Sequence, residues 1–129
     1  MVNQRFNYMF PINQCQKIKI AQGFIYLGPS NERQSVGYLE LNPKTSLTLH
    51  TRPAVEKLTQ VKGKCDMIVF DGGNKPVNVG GRIVLLNEEG KLVMKPDTLH
   101  IHSNPYDEKS LTYWDFDGDI REIIEAIRK

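Results

Sequence analysis

His50, Arg52 and Glu56 stand close together in "LTLHTRPAVEKLTQVKG" (47–63), and Gly63 follows the glutamate after a six-residue gap. Imidazole and carboxylate groups ligate metals and move protons. A guanidinium does neither: it stays protonated, offers no lone pair, and grips carboxylates or phosphates through parallel hydrogen bonds. The trio therefore carries two possible chemistries. One is cation coordination by His50 and Glu56. The other is anion recognition by Arg52, with Glu56 holding it in place and His50 as a second donor or proton carrier. Further along, His100 and His102 share one face of "TLHIH" (98–102) by the two-residue period of a strand. Glu108 sits in the polar stretch "NPYDEKS" (104–110). Each residue also has a plainer role. Arg52 and Glu56 would form a surface ion pair, His100 and His102 the solvent face of a two-sided strand, and Glu108 a solvated carboxylate.

These residues must be positioned by strands. Short β-prone runs separated by turn residues cover 23–28, 35–41, 46–52, 55–61, 64–70, 82–86, 91–94, 98–102 and 111–116. Such spacing predicts an all-β sandwich or barrel. Gly72-Gly73-Asn74 and Gly80-Gly81 supply residues that tolerate positive φ in turns. The end of the chain differs. "DIREIIEAIRK" opens on Asp119 with Glu122 three positions on, a capping-box pattern, and Ile120, Ile123, Ile124 and Ile127 recur at helical spacing. A short helix over 119–128 should pack that stripe against the sheets. "DFDGD" (115–119) reads as the turn and cap before it, and Tyr113 and Trp114 as core or interface residues.

The bulk numbers narrow the function. At 129 residues, 40% hydrophobic and 25% charged, the chain suits one domain with a core of its own. Its net charge of +2 is small, and no basic run carries interleaved aromatics, so nucleic acid is not an expected partner. No stretch approaches the roughly 18 apolar residues of a membrane span, and the N-terminal stretch lacks a signal-like apolar run. Cys15 and Cys65 have no metal-ligand spacing and read as free thiols. A reducing, cytoplasmic setting is the expectation.

The 47–63 stretch resembles the first motif of the cupins: glycine, five residues, His-x-His, three or four residues, glutamate, six residues, glycine. His50, Glu56 and Gly63 match, while Lys44 replaces the leading glycine and Arg52 the second histidine. The second cupin motif aligns in two registers. One starts at Gly90 and gains Pro96, but places Thr98 and Ile101 at the glycine and histidine positions. The other places Asp97, Ser103, Pro105 and Glu108 at the glycine, proline, glycine and histidine positions, and the Lys95-Pro96 turn before a strand favours it. The resemblance spans about 36–116.

It implies a small jelly-roll barrel, a pocket at the barrel mouth and pairing of chains as homodimers, with Phe6 and Tyr8 as residues that would cross to the partner. Metal-binding cupins hold iron, manganese, nickel, zinc or copper with three histidines and the glutamate. Here those positions become His50, Arg52, Glu56 and Glu108, and a guanidinium among them repels a cation. The expectation is a single-domain cupin-like protein with no bound metal. It would bind a small anionic molecule through His50, Arg52, Glu56, His102 and Glu108. The alternatives are a cupin enzyme of isomerase, epimerase, dioxygenase or lyase type, with or without a divalent transition metal, and a structural or regulatory dimer.

Overall fold

Burial alternates along several strands with the period of two that a half-buried sheet demands. In Cys65–Phe70 the residues Cys65, Met67 and Val69 are buried and their neighbours are only partly so. In Leu99–Asn104 the buried set is His100, His102 and Asn104. The computed structural model describes residues 9–48, 52–70 and 81–128. The strands among these described residues are β1 (Gln16–Ile20), β2 (Gly23–Ser30), β3 (Ser35–Leu41), β4 (Thr45–Ser46), β5 (Glu56–Lys62), β6 (Cys65–Phe70), β7 (Gly81–Leu86), β8 (Lys91–Met94), β9 (Leu99–Asn104) and β10 (Ser110–Phe116). Helix α1 (Arg121–Arg128) closes the described chain.

The strands form two antiparallel sheets, ordered β1-β2-β3-β10-β5-β8 and β4-β9-β6-β7. Their inner faces share one core that includes Ile25, Leu39, Leu58, Met67, Val69, Trp114 and Phe116. Helix α1 joins this core through Ile124, with Ile120 just before it and Ile123 and Ile127 packed alongside. The Asp119 carboxylate accepts the Arg121 backbone N–H, which secures the start of the helix as its capping pattern predicts. Ser35 Oγ accepts the Ile120 N–H at 3.1 Å and tethers the same end to β3.

The strands at 35–41 and 91–94 fall where the sequence places them, and most others shift by one or two residues. Two differences matter. The stretch expected as a strand over 46–52 is regular only at Thr45–Ser46; Leu47 continues by donating its N–H to the His102 carbonyl at 2.9 Å. Strand β1 goes beyond the sequence expectation, because "QKIKI" buries only Ile18 and Ile20. The Gly72-Gly73-Asn74 turn, His50, Phe6 and Tyr8 lie outside the described residues. Both described cysteines are free thiols, Cys65 fully buried and Cys15 half-buried.

A second, smaller apolar cluster covers the outer face of the six-stranded sheet. Val36, Tyr38 and Tyr113 pack there against Phe10, Ile12 and Cys15. The Tyr38 hydroxyl donates to the Phe10 carbonyl at 2.7 Å, and the Phe10 N–H donates to the Tyr113 hydroxyl at 3.2 Å. Ile83 and Leu85 on β7 and Val93 on β8 stay exposed.

Gly37 decides how β3 meets the core. A Cβ there would collide with the Tyr26 carbonyl oxygen of β2 and with the Trp114 indole. The missing side chain is what lets Trp114 lie against the sheet. Gly37→Ala should lower stability by at least about 1–3 kcal/mol, the usual cost of overpacking, and thermal denaturation would read it directly. An unchanged Tm would show that β2, β3 and Trp114 are not held in this register.

Candidate functional site

Strand pairing sets the site. In β5, Glu56 sits opposite Met94 of β8 and Phe116 of β10, all three buried, so its side chain enters the space between the sheets. On the facing sheet, His102 pairs with Met67 and His100 with Val69. Because Met67 and Val69 are inward, both imidazoles are inward as well. His100 and His102 are 1% and 4% exposed and Glu56 is 4% exposed, which rules out the solvent-face reading of the two histidines.

The three side chains meet across the barrel. Glu56 Oε1 lies 3.5 Å from His100 Nε2 and 3.7 Å from His102 Nε2. The imidazoles stand edge to face with centroids 5.3 Å apart. One ligating atom from each of Glu56, His100 and His102 falls within 4.8 Å of the other two. Those separations are long for hydrogen bonds, and Glu56 Oε1 makes none although it is buried. The geometry at His100 is specific. Its Nδ1 lies 2.8 Å from the Thr98 carbonyl oxygen. A carbonyl only accepts, so Nδ1 carries a proton, and Nε2 is the ring nitrogen that faces Glu56 Oε1. A ring nitrogen and a carboxylate oxygen facing one another at this distance suit a shared cation, either a proton or a metal ion.

Arg52 stands beside this cluster at 8% exposure, and its backbone carbonyl accepts the Asp97 N–H at 2.7 Å. Asp97 adopts φ 61° in the turn between β8 and β9, the same turn that carries the Thr98 carbonyl. Burial lowers the pKa of Arg52 and the Glu56 charge opposes that shift, so the group remains a cation. Burial would raise the Glu56 pKa, but the neighbouring imidazoles of His100 and His102 outweigh it and hold the carboxyl well below its usual range. Burial lowers the His102 pKa against the pull of Glu56, leaving that imidazole neutral and fit to ligate.

Two hollows adjoin Arg52. An inner cavity of about 30 Å³ is walled by Arg52, Glu56 and His102 on one side and by Trp114, Ile120 and Ile124 on the other. It has room for a water-sized guest and no more. An outer groove of about 500 Å³ runs between α1 and the chain at 21–22 and 47–48, and Arg52, Leu47 and Ile127 line both hollows. Helix α1 thus closes the mouth of the barrel.

Of the residues expected in a site, Arg52, Glu56 and His102 come together. His50 lies outside the described residues. Glu108 is exposed on the loop after β9, where its carbonyl accepts from the Asn104 side chain, and it takes no part in the cluster. The strand after the Lys95-Pro96 turn is β9, and its inward residues are His100, His102 and Asn104. The expected set omits His100. The signal that finds it is the alternation of β6, whose buried residues pair with both histidines.

No family model matches the sequence, and no curated protein matches it. Solved structures do match. An RmlC-like cupin from Shewanella frigidimarina NCIMB 400 superposes with TM-score 0.72 at 13% identity, covering 92% of this chain and 96% of that one. The fold is a cupin jelly roll. A variant of oxalate decarboxylase from Bacillus subtilis gives TM-score 0.71 at 14% identity, covering 91% of this chain and 31% of that one. Drosophila melanogaster CENP-C bound to CAL1 gives TM-score 0.69 at 13% identity, with 81% of each chain covered. This cupin fold therefore spans under a third of that oxalate decarboxylase and 42% of a matching oxalate oxidase.

The buried cluster makes stability depend on pH in the chelator-treated protein. Between the lowered folded pKa of His102 and its ordinary 6.5, the unfolded chain binds the extra proton, so stability falls as pH drops through 6.5. Glu56 acts in the same sense lower down. Its contribution is complete above its ordinary 4.5 and is lost as pH falls below that. Tm should therefore fall between about pH 7 and pH 5, and His102→Gln should flatten that part of the profile. A wild-type profile rising towards pH 5 would mean that His102 is charged in the fold.

Proposed function

We propose that this cupin binds a small anionic molecule next to a divalent transition ion, with Arg52 gripping the anion and Glu56, His100 and His102 holding the ion. The observation that carries this reading is the convergence of three buried ligating atoms, with His100 Nε2 turned towards a carboxylate oxygen that has no hydrogen bond. Two imidazoles and one carboxylate are a donor set for iron, manganese and similar ions. The Thr98 carbonyl supplies the outer hydrogen bond that orients a ligating histidine. These features fit a metal and revise the expectation of a metal-free pocket, which rested on Arg52 occupying a ligand position. Arg52 instead stands beside the trio and shares its cavity.

A similarly folded protein gives the reading a parallel. Oxalate decarboxylase from Bacillus subtilis has Mn(II) centres, and TM-score 0.70 at 18% identity relates one such structure to this chain. When bound, the ion would supply Lewis-acid polarisation of a ligand oxygen and excess positive charge. The chain's own groups do the rest. Arg52 offers paired N–H donors to a carboxylate or phosphate. Glu56 stands against the guanidinium and offsets its charge. His102, kept neutral by burial, keeps a lone pair available to the ion. Trp114, Ile120 and Ile124 keep bulk water from the cavity.

Titration of chelator-treated protein with Mn²⁺ or Co²⁺ tests the ion. About one ion per chain should bind, Tm should rise with ion concentration, and His100→Ala or His102→Ala should weaken binding by about tenfold or more. Elemental analysis showing no ion per chain, together with an unmoved Tm, would return the site to metal-free anion binding by Arg52.

A further inference from the structure

The two hollows beside Arg52 differ in volume by more than tenfold, about 30 Å³ against about 500 Å³. The inner one touches the Glu56–His102 side of the cluster but cannot hold an organic molecule while α1 is docked. The outer one can, and Arg52 lines it too. A ligand held by Arg52 must then keep its body in the groove and present only its charged end to the guanidinium.

The walls of the groove define that body. Ala21, Leu47, Ile123, Ala126 and Ile127 are apolar. The charged residues lining it are Arg52 and Arg128, and among the described residues no acidic side chain forms its walls. Arg128 lies on the exposed side of α1, where Glu125 bridges it at 2.8 Å, whereas Arg52, at 8% exposure, is the deeply set cation. A buried guanidinium at the end of an apolar trough discriminates twice. It favours a carboxylate over a neutral group of the same shape, and the trough favours a hydrocarbon body over none. We infer that the groove under α1 is the ligand site and that its ligand is a monocarboxylate with an apolar body, lying along Ile123, Ala126 and Ile127 with its carboxylate on Arg52. This deepens the function proposed above and rests on Arg52 as the anion-binding group.

Four probes in calorimetric titration separate the parts: octanoate, acetate, octanamide and octyl phosphate. Octanoate should bind at least about tenfold more tightly than acetate, which lacks the body, and than octanamide, which lacks the charge. Octyl phosphate binding more tightly than octanoate would overturn the carboxylate as the charged end, since a guanidinium grips either group. Ala126→Trp, at an exposed helix position that leaves the packed face untouched, should fill the groove and cost octanoate about tenfold while acetate is unchanged. Equal affinity for octanoate and acetate would overturn the apolar body and leave Arg52 as an anion site. Equal affinity for octanoate and octanamide would overturn the role of Arg52, and this inference with it. Octanoate binding that survives Ala126→Trp would be adhesion elsewhere, such as the exposed Ile83, Leu85 and Val93, and would overturn the assignment of the groove.

Discussion

A carboxylate sealed between two β-sheets is the constraint on which the rest of this structure depends. Glu56 is 4% exposed, and one of its oxygens makes no hydrogen bond. An ionised group in that position is costly unless positive charge stands against it. The fold answers with the Arg52 cation from the segment before β5, and sets two imidazoles from the opposite sheet beside the carboxylate. None of the three comes from the same strand as Glu56, so the barrel must close before the charge is balanced. Cupin topology supplies that closure by bringing β5 and β9, from different sheets, to face one another.

How far the sequence speaks for this arrangement varies by element. The alternating run at 64–70 carries the strand period plainly, the β-prone runs at 35–41 and 91–94 are set off by turn residues, and Asp119 with the isoleucine stripe carries the helix. A resemblance resting on His50, Glu56 and Gly63 is enough to reach the jelly roll. Strand β1 is hidden because its exposed lysines and glutamine dilute a pattern resting on Ile18 and Ile20 alone. The stretch 46–52 looks like a continuous strand because alternation is all that a sequence displays there; it does not show where a chain leaves its sheet.

The site is half legible. Arg52, Glu56 and His102 can be named, because charged and ligating residues at strand ends are conspicuous. Their depth cannot, since an Arg–Glu pair reads identically on a surface and in a core. His100 and His102 share a face in any strand, but which face is inward depends on the partner strand. Only the register with β6, through Met67 and Val69, decides it. Glu108 enters the expected set through the alignment of a degenerate motif, and the turn that justifies the alignment delivers β9 instead.

The short turn between β8 and β9 holds two controls at once. The Asp97 amide fixes the backbone of Arg52, and the Thr98 carbonyl fixes the proton on His100. Guanidinium placement and imidazole tautomer are thereby yoked to one piece of chain. Lengthening or shortening that turn cannot retune one without disturbing the other. A rearrangement of that turn would therefore be felt at the anion-gripping cation and at the imidazole in the same stroke.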